Sequence, residues 1–235
     1  MKGENDPVTQ ADIDSEIMIV STIYKYFPGV KVIGEEGVEP KPEAALSSIN
    51  FAAISEEIVP ASLQMIPSEK LTIWVDPLDG TLSFVKKDLI GVTCLIGVAL
   101  DNNPIFGVIH HTYAENMPTY YGGPEIPLRC TLDPRSSPGE PVNLSSPPDN
   151  RSCVTSKDHL GPGDIELLEG LGLTPVPLGG TGRRLLDIAL GQNSVNFFPR
   201  SGSKKWDICA GDALLLSVGG NLTDMYGHRY LYDFT

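Results

Sequence analysis

The run LTIWVDPLDGTLSF, Leu71 to Phe84, constrains the fold more than any other stretch. Leu71 to Val75 are apolar or β-branched and read as a buried strand. Pro77 and Gly80 then call for a turn, because proline presets one backbone dihedral and glycine permits another. The strand therefore delivers two aspartates, Asp76 and Asp79, into a change of direction. A turn alone accounts for this segment, and its carboxylates gain a second meaning only if acids from elsewhere join them.

The rest of the chain supplies a frame for that strand. Ile13, Ile17, Val20, Ile23 or Tyr24, and Phe27 recur at helical spacing, and Pro28-Gly29 closes the helix. VKVIGEEG reads as a short strand running into a turn with Glu35 and Glu36. Residues 38–70 read as an insertion, with part of EAALSSINFAAISEEIV helical. GVTCLIGVALDNNPIFGVIHHTY is two apolar runs about an Asp-Asn-Asn-Pro turn, a hairpin. Ala114 to Arg151 is rich in Pro, Gly and Ser and reads as loop with one or two short strands, a seam between two lobes. The lobes are residues 1–130, which carry the DPLDGT turn, and 131–235, which carry KKWD, together one catalytic unit. Beyond the seam, SCVTS, TPVPLGG and SVNFFPR read as strands, and DIELLEGLG, TGRRLLDIALGQ and DICAGDALLLSVGG as helices. This alternation sets the class as α/β or α+β.

Charge narrows the partners. The 235 residues hold 17 Lys and Arg against 30 Asp and Glu, a net charge of -13. Such a surface repels nucleic-acid backbones and anionic membranes, so neither is expected as a partner. It admits a small phosphorylated substrate where cations or a local basic cluster reverse the field. The four cysteines have neither zinc-ligand spacing nor the density of a disulfide scaffold, which suits a reducing, cytoplasmic setting. No segment approaches the roughly 18 unbroken apolar residues of a membrane helix.

Acids at the ends of elements are the candidates for chemistry. Asp12 stands at a helix start, Glu35 and Glu36 at a strand end, Asp76 and Asp79 in the turn, and Asp207 at the start of the last helix. Asp12 and Asp207 also suit helix capping, and Glu35 and Glu36 a solvated pair. Brought together, Glu35, Asp76, Asp79 and Asp207 would repel one another unless cations joined them. Mg2+ prefers oxygen ligands and is commonly held by carboxylates plus substrate phosphate. Gly80 and Thr81 could open a helix whose free N–H groups receive that phosphate.

WVDPLDGT, KKWDICAGDALLLSVGG, the GEE at 34–36 and DPVTQAD at 6–12 together resemble the inositol monophosphatase superfamily of magnesium-dependent, lithium-sensitive phosphatases. The motifs occur in the family's order across nearly the whole chain. The resemblance implies a layered αβαβα sandwich. It implies that Glu35, Asp76, Asp79 and the Leu78 carbonyl hold metal, with Asp207 joining Asp76 and Asp79 at a second ion, about two or three Mg2+ ions in all. Asp12 and Thr81 would orient and deprotonate the attacking water, Gly80 and Thr81 would touch the phosphate, and Glu36 would support the metal site from behind. The implied reaction is in-line attack of a metal-activated water on a phosphate monoester, without a phosphoenzyme.

A second phosphate needs basic partners, which SKKWD and GGTGRR supply. These segments look most like the 3'(2'),5'-bisphosphate nucleotidase branch, which removes the 3'-phosphate of adenosine 3',5'-bisphosphate. By that resemblance Ser156, His159, Gly180, Arg184 and Lys204 face the substrate, although the branch carries Lys where this chain has Arg184. Inositol polyphosphate 1-phosphatase and inositol monophosphatase are the alternatives. The chain lacks the helix that family members carry before DPVT and the elements beyond LYDFT, so a truncated, non-catalytic homologue is an alternative of another class.

Overall fold

The computed structural model describes residues 7–49, 59–135, 137–144, 151–161, 163–199 and 202–233. Helix α1, Gln10–Tyr26, forms the outer layer and ends before Gly29, whose φ of +89° turns the chain back. Strand β1, Lys31–Gly34, then pairs in parallel with β2, Leu71–Asp79. From β2 the chain continues as an antiparallel meander of β3 (Thr93–Leu100), β4 (Asn103–His110), β5 (Thr119–Gly123), β6 (Ile126–Thr131) and β7 (Glu140–Pro141). These strands form one seven-stranded sheet in chain order. The expected hairpin closes through Asp101 and Asn102, both at positive φ (48° and 67°), a conformation that Asp and Asn tolerate in two-residue turns.

Period-two alternation gives this sheet two apolar faces. Ile73 and Val75 pack with Val30 beneath Ile19 and Ile23 of α1. Trp74, Leu95, Ala99 and Ile109 face the other way, toward helix α5, Lys205–Ser217. A row of glycines lets α5 settle on the sheet, since Gly97 pairs with Gly107 and Gly107 with Gly122. A Cβ on Gly107 would lie 2.2 Å from the Ala210 carbonyl oxygen, so any side chain there would push the helix off.

A second sheet follows: β8 (Ser152–Ser156), helix α3 (Asp164–Gly170), β9 (Thr174–Leu178), helix α4 (Thr181–Ala189) and β10 (Val195–Asn196). Its strands run parallel in the order β10-β8-β9. Helix α4 lies between the sheets, sending Leu185, Leu186 and Ala189 into the main core while touching β8 and β10. With α3 on β9, the layers run helix, sheet, helices, sheet, helix, the αβαβα arrangement.

Two expectations need correction. The described residues of the Pro- and Gly-rich region from 114 to 151 hold three strands, not one or two, and they extend the main sheet; at five, six and two residues they are too short to show apolar periodicity. In SVNFFPR only Val195–Asn196 joins a ladder. The helix expected within part of EAALSSINFAAISEEIV falls largely on 50–58, which lie outside the described residues; Glu43 and Ala44 end a 3-10 turn, Pro42–Ala44.

Candidate active site

The DPLDG segment is a bulged strand end, and the turn itself is confined to Gly80. Asp76 pairs with Leu95 and Asp79 with Thr93, so β2 spends one residue more than β3 over this step. Pro77 has no N–H for the ladder, which favours a bulge at this point. In a regular strand, residues three apart point to opposite faces; the extra residue brings Asp76 and Asp79 toward the same side. The Leu78 N–H donates to Asp76 Oδ1 at 3.1 Å. Gly80 then takes φ +86°, and Thr81 opens the five-residue helix α2, Thr81–Val85.

The strand end forms the floor of a cleft of about 790 Å³. Glu35, Asp76, Leu78, Asp79, Gly80 and Thr81 line it from the main sheet. Ser156, His159, Gly180, Arg184, Lys204 and Asp207 line it from β8, α4 and α5. All the metal-binding and substrate-binding candidates thus meet in one cavity. Asp12 lies behind them, fully buried, with Oδ1 3.1 Å from Thr81 Oγ1. Glu36 is not among the cleft residues; its N–H donates to Glu16 Oε2 at 2.8 Å.

Helix starts place two of the acids. Asp12 and Asp207 are third residues of their helices rather than N-caps, and each accepts the N–H of the capping residue. Thr9 N–H reaches Asp12 Oδ2 at 2.8 Å and Lys204 N–H reaches Asp207 Oδ2 at 2.5 Å. Capping and site geometry are therefore compatible, because in each carboxylate Oδ2 serves the helix start. In Asp12 the other oxygen meets Thr81. The Thr81 hydroxyl also stands 3.1 Å from the Leu78 carbonyl, so its single proton has two acceptors.

Asp79 is tied down by neutral donors. The first amides of α4 donate to it, Thr181 N–H to Oδ1 at 2.9 Å and Gly182 N–H to Oδ2 at 2.8 Å; Thr93 Oγ1 donates to Oδ2 at 2.8 Å. Gly180 permits this approach, with φ at +69° and only 2.0 Å between a built Cβ and the Gly91 carbonyl oxygen. Burial raises the Asp79 pKa, while the Thr181 amide, Thr93, Arg184 and the Gly182 amide oppose the rise. At Asp76 the balance is different, with the Leu78 N–H set against three neighbouring acids. Burial pushes its pKa well above the ordinary value, and Asp79, Glu35 and Asp207 push it further.

This donor set suits a hard divalent cation: carboxylate oxygens, a carbonyl, and a shortage of positive charge around Asp76. Among the described residues no three acidic, histidine or cysteine side chains stand close enough to hold an ion as they are.

Arg184, at 4% exposure, is a buried cation of the cleft. Its Nη2 donates to Thr181 Oγ1 at 3.1 Å, its guanidinium lies 5.6 Å from the Phe198 ring centre, and its Nε has no hydrogen-bond partner. His159 Nδ1 is 3.1 Å from Ser156 Oγ, and its ring meets Phe198 edge-on. Sequence reasoning missed Glu16, whose carboxylate also accepts the Val38 N–H at 3.0 Å and so fixes the GEE turn. It also missed Thr93, Ser83, Asp158 and Phe198. Only helical spacing marked Glu16, and it marked a buried face without distinguishing an acid on it.

The inositol monophosphatase family model matches residues 1–234. A human protein named 3'(2'),5'-bisphosphate nucleotidase 1 is 31% identical over 232 residues, covering 97% of this chain and 74% of that relative. Inositol monophosphatase 3 of Danio rerio is 30% identical, covering 99% of this chain and 66% of its own length. The solved structure of the extragenic suppressor protein suhB from Bartonella henselae superposes with a TM-score of 0.72 at 21% identity, over 99% of this chain and 79% of that one. This last likeness speaks for the fold.

Proposed function

We propose that this chain, which belongs to the inositol monophosphatase family and is a phosphoric monoester hydrolase, removes the 3'-phosphate of adenosine 3',5'-bisphosphate with Mg2+ as its metal. The observation that carries the reading is the meeting of Glu35, Asp76, Asp79 and Asp207 in one cleft with buried Arg184. Relatives named as nucleotidases at about this similarity support the same substrate class.

Glu35, Asp76, Asp79, Asp207 and the Leu78 carbonyl would hold the metal. Bound Mg2+ supplies charge neutralisation for the phosphate and lowers the pKa of water. Thr81 positions the attacking water: its hydroxyl proton points to Asp12 Oδ1, leaving Oγ1 lone pairs to accept from the water. Asp12 then takes the Thr81 hydroxyl proton as Thr81 Oγ1 takes one from the water, whose oxygen attacks phosphorus; the bond to the 3'-oxygen breaks, and the departing 3'-oxygen takes a proton from solvent. Free N–H groups near Gly80 and Thr81 steady the phosphate oxygens. Arg184 and Lys204 serve the second phosphate, and Ser156 and His159 the sugar side.

The reading includes lithium sensitivity and a cytoplasmic setting, with which four free thiols agree. No helix among the described residues is long and apolar enough to cross a membrane. An inositol phosphate substrate is the second reading, favoured by the similarity to inositol monophosphatase 3. Phosphate release from adenosine 3',5'-bisphosphate, inositol 1,4-bisphosphate and inositol 1-phosphate, with Mg2+ and with or without Li+, separates them. The nucleotide is expected to be turned over fastest and inhibited by Li+. Turnover of inositol 1-phosphate alone would sink the nucleotidase reading, and folded protein inert on all three would favour a non-catalytic homologue.

A further inference from the structure

We propose that Asp158 is a positioning residue that, clasped by Lys86 and Ser83 across the mouth of the cleft, holds the turn carrying Ser156 and His159 over the substrate. The proposal rests on the phosphatase reading of the same cleft. The turn follows β8 directly: Lys157 N–H still donates to the Leu178 carbonyl at 3.0 Å, and His159 N–H folds back onto Ser156 Oγ at 3.1 Å. Opposite stands α2, which carries Thr81 at its first position and leads into Lys86 and Asp88.

Charges on the two sides are reciprocal. Lys86 Nζ meets Asp158 Oδ1 at 2.8 Å, and Lys157 Nζ pairs with Asp88 in return. Ser83 Oγ adds a contact to Asp158 Oδ2 at 3.4 Å. Each side thus offers one cation and one anion to its opposite, so a slipped approach would set like charges together. Asp158 is the inner member, with its side chain only 11% exposed against 55% for Lys86. Exposed ion pairs add little to global stability, so the clasp acts on position. It links the helix that holds Thr81 to the turn that presents His159, and its loss loosens the far end of the substrate more than the reacting phosphate.

The test compares wild type, Asp158→Lys, the charge swap Lys86→Asp with Asp158→Lys, and Asp158→Glu. Hydrogen exchange at the amides of residues 157–161 is expected to quicken in Asp158→Lys and to slow again in the swap and in Asp158→Glu. With adenosine 3',5'-bisphosphate, KM is expected to rise about tenfold in Asp158→Lys with kcat within about twofold, and to return in the swap. Unchanged exchange in Asp158→Lys, no recovery in the swap, or a fall in kcat at constant KM would each overturn the proposal. Inactive wild type would count against the phosphatase reading alone, because the exchange measurement still decides the clasp.

Discussion

Helix α5 carries two aspartates five positions apart, and their surroundings differ in kind. Asp207 opens the helix at the cleft, where Glu35, Asp76 and Asp79 also gather. Asp212 is wholly buried against the sheet, where Oδ2 accepts the Tyr232 hydroxyl at 2.9 Å and the Arg229 guanidinium stands 3.8 Å from Oδ1. A single carboxyl in that setting has a local remedy: burial raises its pKa to about 6, so it holds its proton below that pH. Around the cavity, burial and three neighbouring acids together push the Asp76 pKa well above the ordinary value, and Arg184 and Lys204 line the same cleft. The contrast separates an acid that the core tolerates from acids arranged for something absent from the chain itself.

Removing an acid from either region should therefore raise stability, but only the cleft variant should lose activity. Asp76→Asn is expected to lower kcat/KM by about a thousandfold or more while raising the melting temperature of metal-free protein, because a self-repelling site loses one charge. Phosphate release and thermal melts check both halves, and a variant that is active and less stable would break the comparison.

Asp212→Asn should leave activity intact and change the pH profile of stability. The folded pKa of about 6 lies above the ordinary 3.8, so the stabilisation from holding the proton is full below pH 3.8 and lost as pH rises through 6. The variant is expected to match wild type near pH 4 and to exceed it by about 2–3 kcal/mol at pH 7.5 in urea titrations. Tyr232→Phe has the smallest expected effect, about 1–2 kcal/mol of destabilisation. Because the Tyr232 hydroxyl holds the Asp212 pKa down, its removal should move the pH-dependent loss of stability upward.

How much of this was legible from residues follows from the range of each interaction. The periodicity of Ile13 to Phe27, the DNNP hairpin and the helices after Gly180 and Lys204 are local signals, and each element formed near its expected place. Acids at element ends marked the cleft because the fold converges strand and helix ends. Other features depend on what crosses over. DPLDG read as a turn because a bulge is visible only against the register of β3. GGTGRR read as a source of basic partners, yet its Thr181 and Gly182 amides hold Asp79, and of its two arginines only Arg184 lines the cavity. Lys86 and Asp158 lie 72 positions apart, and neither carries a local sign of the other.

The most direct measurement uses the chain's only two tryptophans. Trp206 lines the cleft beside Asp207, and its ring centre lies 6.5 Å from that of Trp74. Titrating Mg2+ while following tryptophan fluorescence should give a saturable change in wild type and in Asp212→Asn, and none in Asp76→Asn. An equal response in Asp76→Asn, or no response in wild type, would contradict the assignment of these acids to a metal.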